Sequence, residues 1–230
     1  QKKIASILSA YDSLIENNTR RIQILEEMAQ RIYKEWFVDF KYPGYENDEL
    51  VDSELGMIPE GWEVKSYSEV AEFINGFAFG PNHWQKEGKP IIKINELKNG
   101  FTDTTSYYHG EDIAEKYHIE NGDLLFSWSA HLDVYIWQSG EGLLNQHLFN
   151  VIPNKGFRKL FIFYALKYGI QEFRIRSQGT TMRHIKRSAL NEVKLAIPTE
   201  NQREYFSDIV NPISMQLQAL RSKNENLRQT

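Results

Sequence analysis

Two seven-residue apolar repeats, one near each end and separated by about 170 residues of different character, constrain this chain more than any other feature. Ile4, Leu8, Tyr11, Ile15, Asn18, Ile22, Leu25, Ala29, Ile32 and Trp36 advance by alternating steps of four and three. Phe206, Val210, Ile213, Leu217, Leu220, Asn224 and Leu227 do the same. Residues so spaced line one side of a helix that needs a partner. Set antiparallel, the ladders oppose Trp36 to Phe206, Ile32 to Val210, Leu25 to Leu217 and Ile15 to Leu227. The same register brings the two seam asparagines, Asn18 and Asn224, face to face, and a buried asparagine pair fixes register and direction. The alternative is two ordinary amphipathic helices that each tolerate one polar residue.

Local signals bound these helices. Thr199 followed by Gln202, just after Pro198, reads as a capping box opening the second helix, while Pro43 and Gly44 are expected to stop the first beyond Trp36 to Phe40. Pro212 lies within the second and predicts a kink there, or a helix that starts only at that point. The first helix, at roughly 33 residues, should be on the order of 50 Å long, the dimension of a spacer.

The chain has 230 residues, 41% apolar and 13% aromatic, enough to bury a core between the helices. Its longest apolar cluster, Leu160 to Leu166, is far below the roughly 18 residues of a membrane span. Cysteine is absent, which excludes disulfides and thiolate metal sites and makes the cytoplasm the expected compartment. Gln at position 1 suggests a processed chain or a piece of a longer one.

The net charge of −4 conceals a strong asymmetry. From Glu46 to Glu72 nine acidic residues face Lys65 alone, whereas from Asn154 to Arg187 nine basic residues face Glu172 alone. A solvated helix face is the plain explanation of such a run. Its company suggests more. Between candidate helices at Phe157 to Ile175 and Ile185 to Asn191 lies a donor-rich loop containing Gln178, Gly179, Thr180, Thr181, Arg183 and His184. Arg and Gln can bond base edges bidentately, and hydroxyls and exposed N–H groups suit phosphate oxygens. Equally, the loop could be a turn capping the next helix.

Short β-rich runs at 91–94, 123–128, 134–137, 147–152 and 193–197 are separated by turns, among them Asn75-Gly76, Asn99-Gly100 and Asn121-Gly122. The expected fold is α+β: one mixed, β-rich domain mounted on a long antiparallel two-helix coiled coil. Its divisions would be a spacer helix at 1–42, an acidic linker at 43–60, the β-rich domain at 61–198 and the distal helix at 199–230.

No phosphate-binding loop, dinucleotide fingerprint, zinc-protease or serine-hydrolase motif occurs. The six histidines show no ligand spacing, so no metal and no cofactor are expected. Glu63-Val64-Lys65 weakly echoes half of a Mg²⁺ nuclease site, and Asn211-Pro212-Ile213-Ser214 a methyltransferase element without its aromatic residue; both triplet-scale matches arise readily by chance.

Several segments together resemble the specificity subunits of type I restriction–modification systems. Gln1 to Ala5, Asp12 to Asn18, Ile32 to Phe40 and Pro43-Gly44 resemble their central conserved region. Leu55 to Trp62 resembles the opening of a target recognition domain, and Gly122 to Ser127, Asn145 to Phe149 and Gly179 to Met182 resemble motifs within it. Ile197 to Gln202 resembles the start of the distal helix. The resemblance implies a non-catalytic reader of double-stranded DNA that recognises one half of a bipartite target and docks methylation subunits, and through them restriction subunits, by its helices. Only one recognition domain is present, so a homodimer through an opened seam is a second state the helices allow.

On residue chemistry, phosphate anchoring falls to Arg158, Arg174, Arg176, Lys186 and Arg187. Base or groove contacts fall to Gln178, Thr180, Thr181, Arg183 and His184, with Lys93 and Asn95 as further candidates. A helical interaction module without DNA specificity, and a self-contained nuclease, are the rival readings.

Overall fold

The computed structural model describes residues 2–176 and 185–229. It is an α+β fold. Six helices are α1 (Lys2–Phe37), α2 (Tyr67–Val70), α3 (Ile94–Asn99), α4 (Lys159–Arg176), α5 (Ala189–Glu192) and α6 (Glu200–Gln229). The strands are β1 (Leu50–Val51), β2 (Ile58–Pro59), β3 (Glu63–Ser66), β4 (Ala71–Asn75), β5 (Lys89–Ile92) and β6 (Tyr107–Tyr108). They continue as β7 (His118–Ile119), β8 (Leu124–Ser127), β9 (Asp133–Ile136), β10 (Gly142–Leu144), β11 (Leu148–Pro153) and β12 (Lys194–Ile197).

Two four-stranded sheets make the globular part, in the orders β4-β11-β8-β9 and β6-β5-β10-β7. The first is antiparallel throughout, and its central strand β8 is buried at all four positions. A strand covered on both faces needs apolar residues on both, which is why 123–128 reads as a continuous run rather than an alternation. Phe73, Phe126 and Phe149 pack on one face toward Phe161 and Phe173 of α4. Leu125 and Leu148 face the other way, meeting Ile92, Ile119 and Leu144 of the second sheet.

The sheets are stitched at Gly76 and Phe77. Phe77 N–H donates to Leu144 O at 2.8 Å, and Gln146 N–H donates to Phe77 O at 2.9 Å. Gly76 does not have the positive φ expected of a tight turn; a Cβ there would sit 2.2 Å from the backbone oxygen of Asn145, so the residue is required by close approach. Gly100 and Gly122 do have positive φ. The ribbon of β3 and β12 joins the start and end of the globular part, pairing Glu63 with Ile197 and Ser66 with Lys194.

Helices α1 and α6 lie against each other in opposite senses. Asn18 meets Asn224, and Trp36 meets Phe206 at 6.1 Å between ring centroids. On α6 the ladder residues Phe206, Val210, Ile213, Leu217, Leu220 and Asn224 are all buried. On α1 the buried side drifts. Ile15, Asn18, Ile22, Leu25, Ile32 and Trp36 are half-buried, while Ala29, Tyr33 and Phe37 are fully covered. A straight helix turns about 20° per heptad relative to a strict seven-residue repeat, so the covered stripe moves toward a third neighbour when one is present. That neighbour is α4, whose Phe161 packs 6.0 Å from Tyr33 and 5.4 Å from Phe37. The inner ends of the helices thus share the core of the globular part instead of forming a separate stalk.

The helix ends depart from two expectations. α1 stops at Phe37, before Pro43, because Phe40 turns left-handed at φ 56° and the chain folds back. Asp39 N–H donates to Lys34 O and Lys41 N–H to Glu35 O, satisfying the last carbonyls. The strain of a non-glycine residue there is offset by the Phe40 ring, edge-on to Trp62 at 5.4 Å. At the other end α6 begins at Glu200 and runs without interruption past Pro212. Pro212 and Asp208, whose carbonyl loses its partner, are both exposed, so water replaces the missing bond. The capping box at Thr199 is formed: Gln202 N–H donates to Thr199 Oγ1, and Thr199 N–H to Gln202 Oε1.

Candidate nucleic-acid interface

One end of the first sheet gathers polar and aromatic groups. Register brings Asn75 of β4 opposite Phe149 of β11, Leu148 opposite Ser127 of β8, and Ser127 opposite Asp133 of β9, so the loops at 75–77, 128–132 and 145–147 emerge together. Trp128 Nε1 donates to Asn75 Oδ1 at 3.2 Å, and its ring lies 6.2 Å from His147 and 5.7 Å from Phe149. Chain entering at 185 is tied to the same place, Ile185 N–H donating to Trp128 O at 3.1 Å.

Helix α4 packs across this sheet. Lys159, at its start, donates to Gly122 O at 2.5 Å; Lys167 reaches Asp133 Oδ1 at 2.5 Å; Arg174 and Arg176 lie in its last turn. Arg176 pairs with Glu192 at 3.4 Å, both side chains remaining largely exposed. Lys186 is exposed, and Arg187 donates to Phe73 O at 3.3 Å. Of the expected phosphate-binding residues, Lys186 therefore follows Ile185 at this end, Arg187 lies along the β4 edge at Phe73, and Arg176 is held at α5 through Glu192.

Arg158 lies elsewhere. Arg158 pairs with Glu204 of α6 at 3.1 Å, beside Arg203 and Gly156, at the far end of a helix that is roughly 27 Å long. Lys93 and Asn95 follow β5, an inner strand of the second sheet, at the start of α3. Lys93 Nζ donates to Ser106 Oγ at 3.0 Å, and Asn95 Oδ1 accepts from Asn99 within the helix. Gln178, Thr180, Thr181, Arg183 and His184 lie outside the described residues.

Residues the sequence reading did not single out also belong to this edge: Trp128, Asn75, Ala130, His131 and His147. The Asn75-Gly76 turn and the Asn145 to Phe149 motif are the local signals. The others depend on strand register, which no short motif announces.

Among the described residues no group of three or more His, Asp or Glu comes together to hold a metal ion. Glu63, half of the weak nuclease triplet, pairs with Lys65 at 2.6 Å on β3, and its carboxyl is held below the ordinary range by that hydrogen bond and charge. Asn211 to Ser214 lie inside α6. No described helix is long and apolar enough to cross a membrane.

The type I restriction modification DNA specificity domain model matches residues 59–227. The chain is 27% identical, over 93% of its length, to the MjaIX specificity subunit of Methanocaldococcus jannaschii, and 25% identical, over 79% of its length, to the EcoBI specificity subunit of Escherichia coli. It spans 51% and 39% of those two relatives. Among solved structures, the type I restriction-modification S subunit of M. genitalium matches with a TM-score of 0.63 at 16% identity, covering 98% of this chain and 57% of that one. The HsdS subunit of Thermoanaerobacter tengcongensis matches at 0.55 and 18%, over 99% and 54%. With the family model covering most of its length, the chain belongs to the type I restriction modification DNA specificity domain family.

Proposed function

We propose that this chain is a non-catalytic, sequence-specific reader of double-stranded DNA that recognises one half of a bipartite target. The observation that carries the reading is the meeting of Trp128, Asn75 and His147 at one sheet end, with Lys186 beside it after Ile185 and Arg187 on the adjoining β4 edge. Cations at the rim of a surface that carries aromatic and amide groups suit a duplex, with phosphates held at the edge and bases read between. On this reading the segment around Gln178, Thr180, Thr181, Arg183 and His184 enters a groove from the same edge, while Arg158 is released from the phosphate set.

In this proposal residues 61–198 form the target recognition domain, 43–60 the linker, and α1 with α6 an antiparallel coiled-coil spacer that docks methylation subunits and, through them, restriction subunits, in the cytoplasm. The exposed Leu14, Ile24, Met28 and Met215 support a docking role, because large apolar side chains lose water favourably on entering an interface. The same residues favour the second reading, a helical interaction module that has no DNA specificity, or a homodimer through the spacer.

Retention of a randomised duplex pool at two salt concentrations separates them. A short motif that survives higher salt better than bulk DNA is the expected result. Retention without a motif reduces the edge to phosphate binding, and no retention transfers the function to the helices.

A further inference from the structure

The connection between β8 and β9 contains the described residue least comfortable in its backbone at this edge. Ala130 is held at φ +55°, and His131 N–H closes an i to i+2 hydrogen bond on Ser129 O at 2.5 Å. Turns of this three-residue kind with positive φ are rare and strained, and only glycine enters that region freely. The surroundings impose the shape. Ser129 and Leu132 on either side are buried, the Trp128 backbone is bonded to Ile185, and the Trp128 indole is bonded to Asn75. What the turn leaves outside is Ala130 and the imidazole of His131, whose side chain is 40% exposed.

The imidazole has little to do within the fold. Its Nε2 lies 3.8 Å from Asp133 Oδ2, beyond hydrogen-bond distance, and the Asp133 carboxylate is already held by Lys167 at 2.5 Å. His131 therefore stands at the tip of a rigid, strained turn in the β8–β9 hairpin, with donor and acceptor capacity to spare. Strain maintained by buried flanks is a way to aim a side chain that a relaxed loop would let wander.

We infer that the Ser129–Ala130–His131 turn is a specificity element, His131 hydrogen-bonding a base edge in the groove while the Ala130 methyl packs beside it. This rests on the DNA-reading role proposed above and adds a probe distinct from the basic flanks. A base contact changes preference at one position, whereas a phosphate contact changes affinity for every sequence.

The test is motif selection from a random duplex pool with the wild-type chain and the variants His131→Ala, His131→Asn and Ala130→Gly, alongside melting curves and the salt dependence of binding. His131→Ala should lose about tenfold in discrimination at one base position with an unchanged salt slope, the ordinary worth of one base contact. His131→Asn, which keeps a hydrogen-bonding tip, should retain part of that preference. Ala130→Gly should melt higher, since glycine relieves the strain, yet select a less sharply defined motif. Wild-type discrimination in both His131→Ala and Ala130→Gly would overturn the inference while leaving DNA reading intact. A wild-type chain that selects no motif would remove both.

Discussion

Asn18 Nδ2 donates to Asn224 Oδ1 at 2.8 Å, joining two residues 206 positions apart in the chain. Asn224 is buried, and its own amide also faces Thr19 Oγ1 and Ile15 O. Every other residue of the α6 ladder from Phe206 to Leu220 is apolar, so any slip of one helix along the other would bury these amides against hydrocarbon. The pair trades stability for a defined register. Asn18→Ala should therefore cost only about 1 kcal/mol in denaturant unfolding, since Asn224 keeps neighbouring oxygens. Replacing both asparagines by leucine should raise the melting temperature and make it depend on protein concentration as alternative pairings open. A double variant that stays monomeric, with no gain in stability, would refute the register role.

Gly76 is the tightest joint in the globular part. Gly76→Ala should lose about 1 to 3 kcal/mol, because the added methyl meets the Asn145 backbone, which cannot move away as a side chain would. Gly80→Ala, whose new Cβ would find nothing nearer than His83 Nδ1 at 3.9 Å, should stay within about 0.5 kcal/mol of the parent. Chemical denaturation of the two variants side by side checks this, and equal stabilities would contradict the close-approach argument.

The two ends of α4 should behave differently toward DNA. Arg176→Ala is expected to weaken binding to all sequences and to reduce the slope of log affinity against log salt by about one. Arg158→Ala, which loses only its exposed pair with Glu204, should leave that slope unchanged. Salt titrations of both variants decide the matter. A matching fall for Arg158→Ala would extend the interface to the α6 side of the domain.

Alkaline pH should unfold the protein through its buried phenols. Burial raises the Tyr164 hydroxyl to about 12, with the Glu26 charge adding to the rise and Arg221 opposing it. Tyr33 and Tyr67 are shifted upward, also chiefly by burial. A phenol whose folded pKa lies above its unfolded value near 10 favours the native state fully below about pH 10. That contribution is lost as pH rises from about 10 toward 12, because the unfolded chain releases the proton first. Stability should thus fall steeply across this window, and Tyr164→Phe should make the fall shallower. Stability that stays level from pH 10 to pH 12 would contradict it.

Much of this molecule is legible along its sequence because local periodicity encodes which side of an element is covered. The spacing from Phe206 to Asn224 identifies the buried stripe of α6, and the strand runs around 124–127 and 148–153 lie within a residue or two of the observed strands. Thr199 and Gln202 mark the start of α6 through chemistry confined to one turn. The basic character of 154–187, and the motifs that resemble the specificity-subunit family, are likewise properties of the chain itself. Tertiary structure decided where those charges went: an 18-residue helix carries Arg158 away from Arg174 and Arg176, so neighbours in a charge count became opposite ends of a rod. It also decided the shift of the covered stripe on α1 toward Tyr33 and Phe37, since a third helix is invisible to a two-helix repeat. The left-handed backbones of Phe40 and Ala130, and the need for glycine at 76, come from the same source. Such features are imposed by contacts between residues far apart in sequence, and they carry no local pattern because the chain would not adopt them alone.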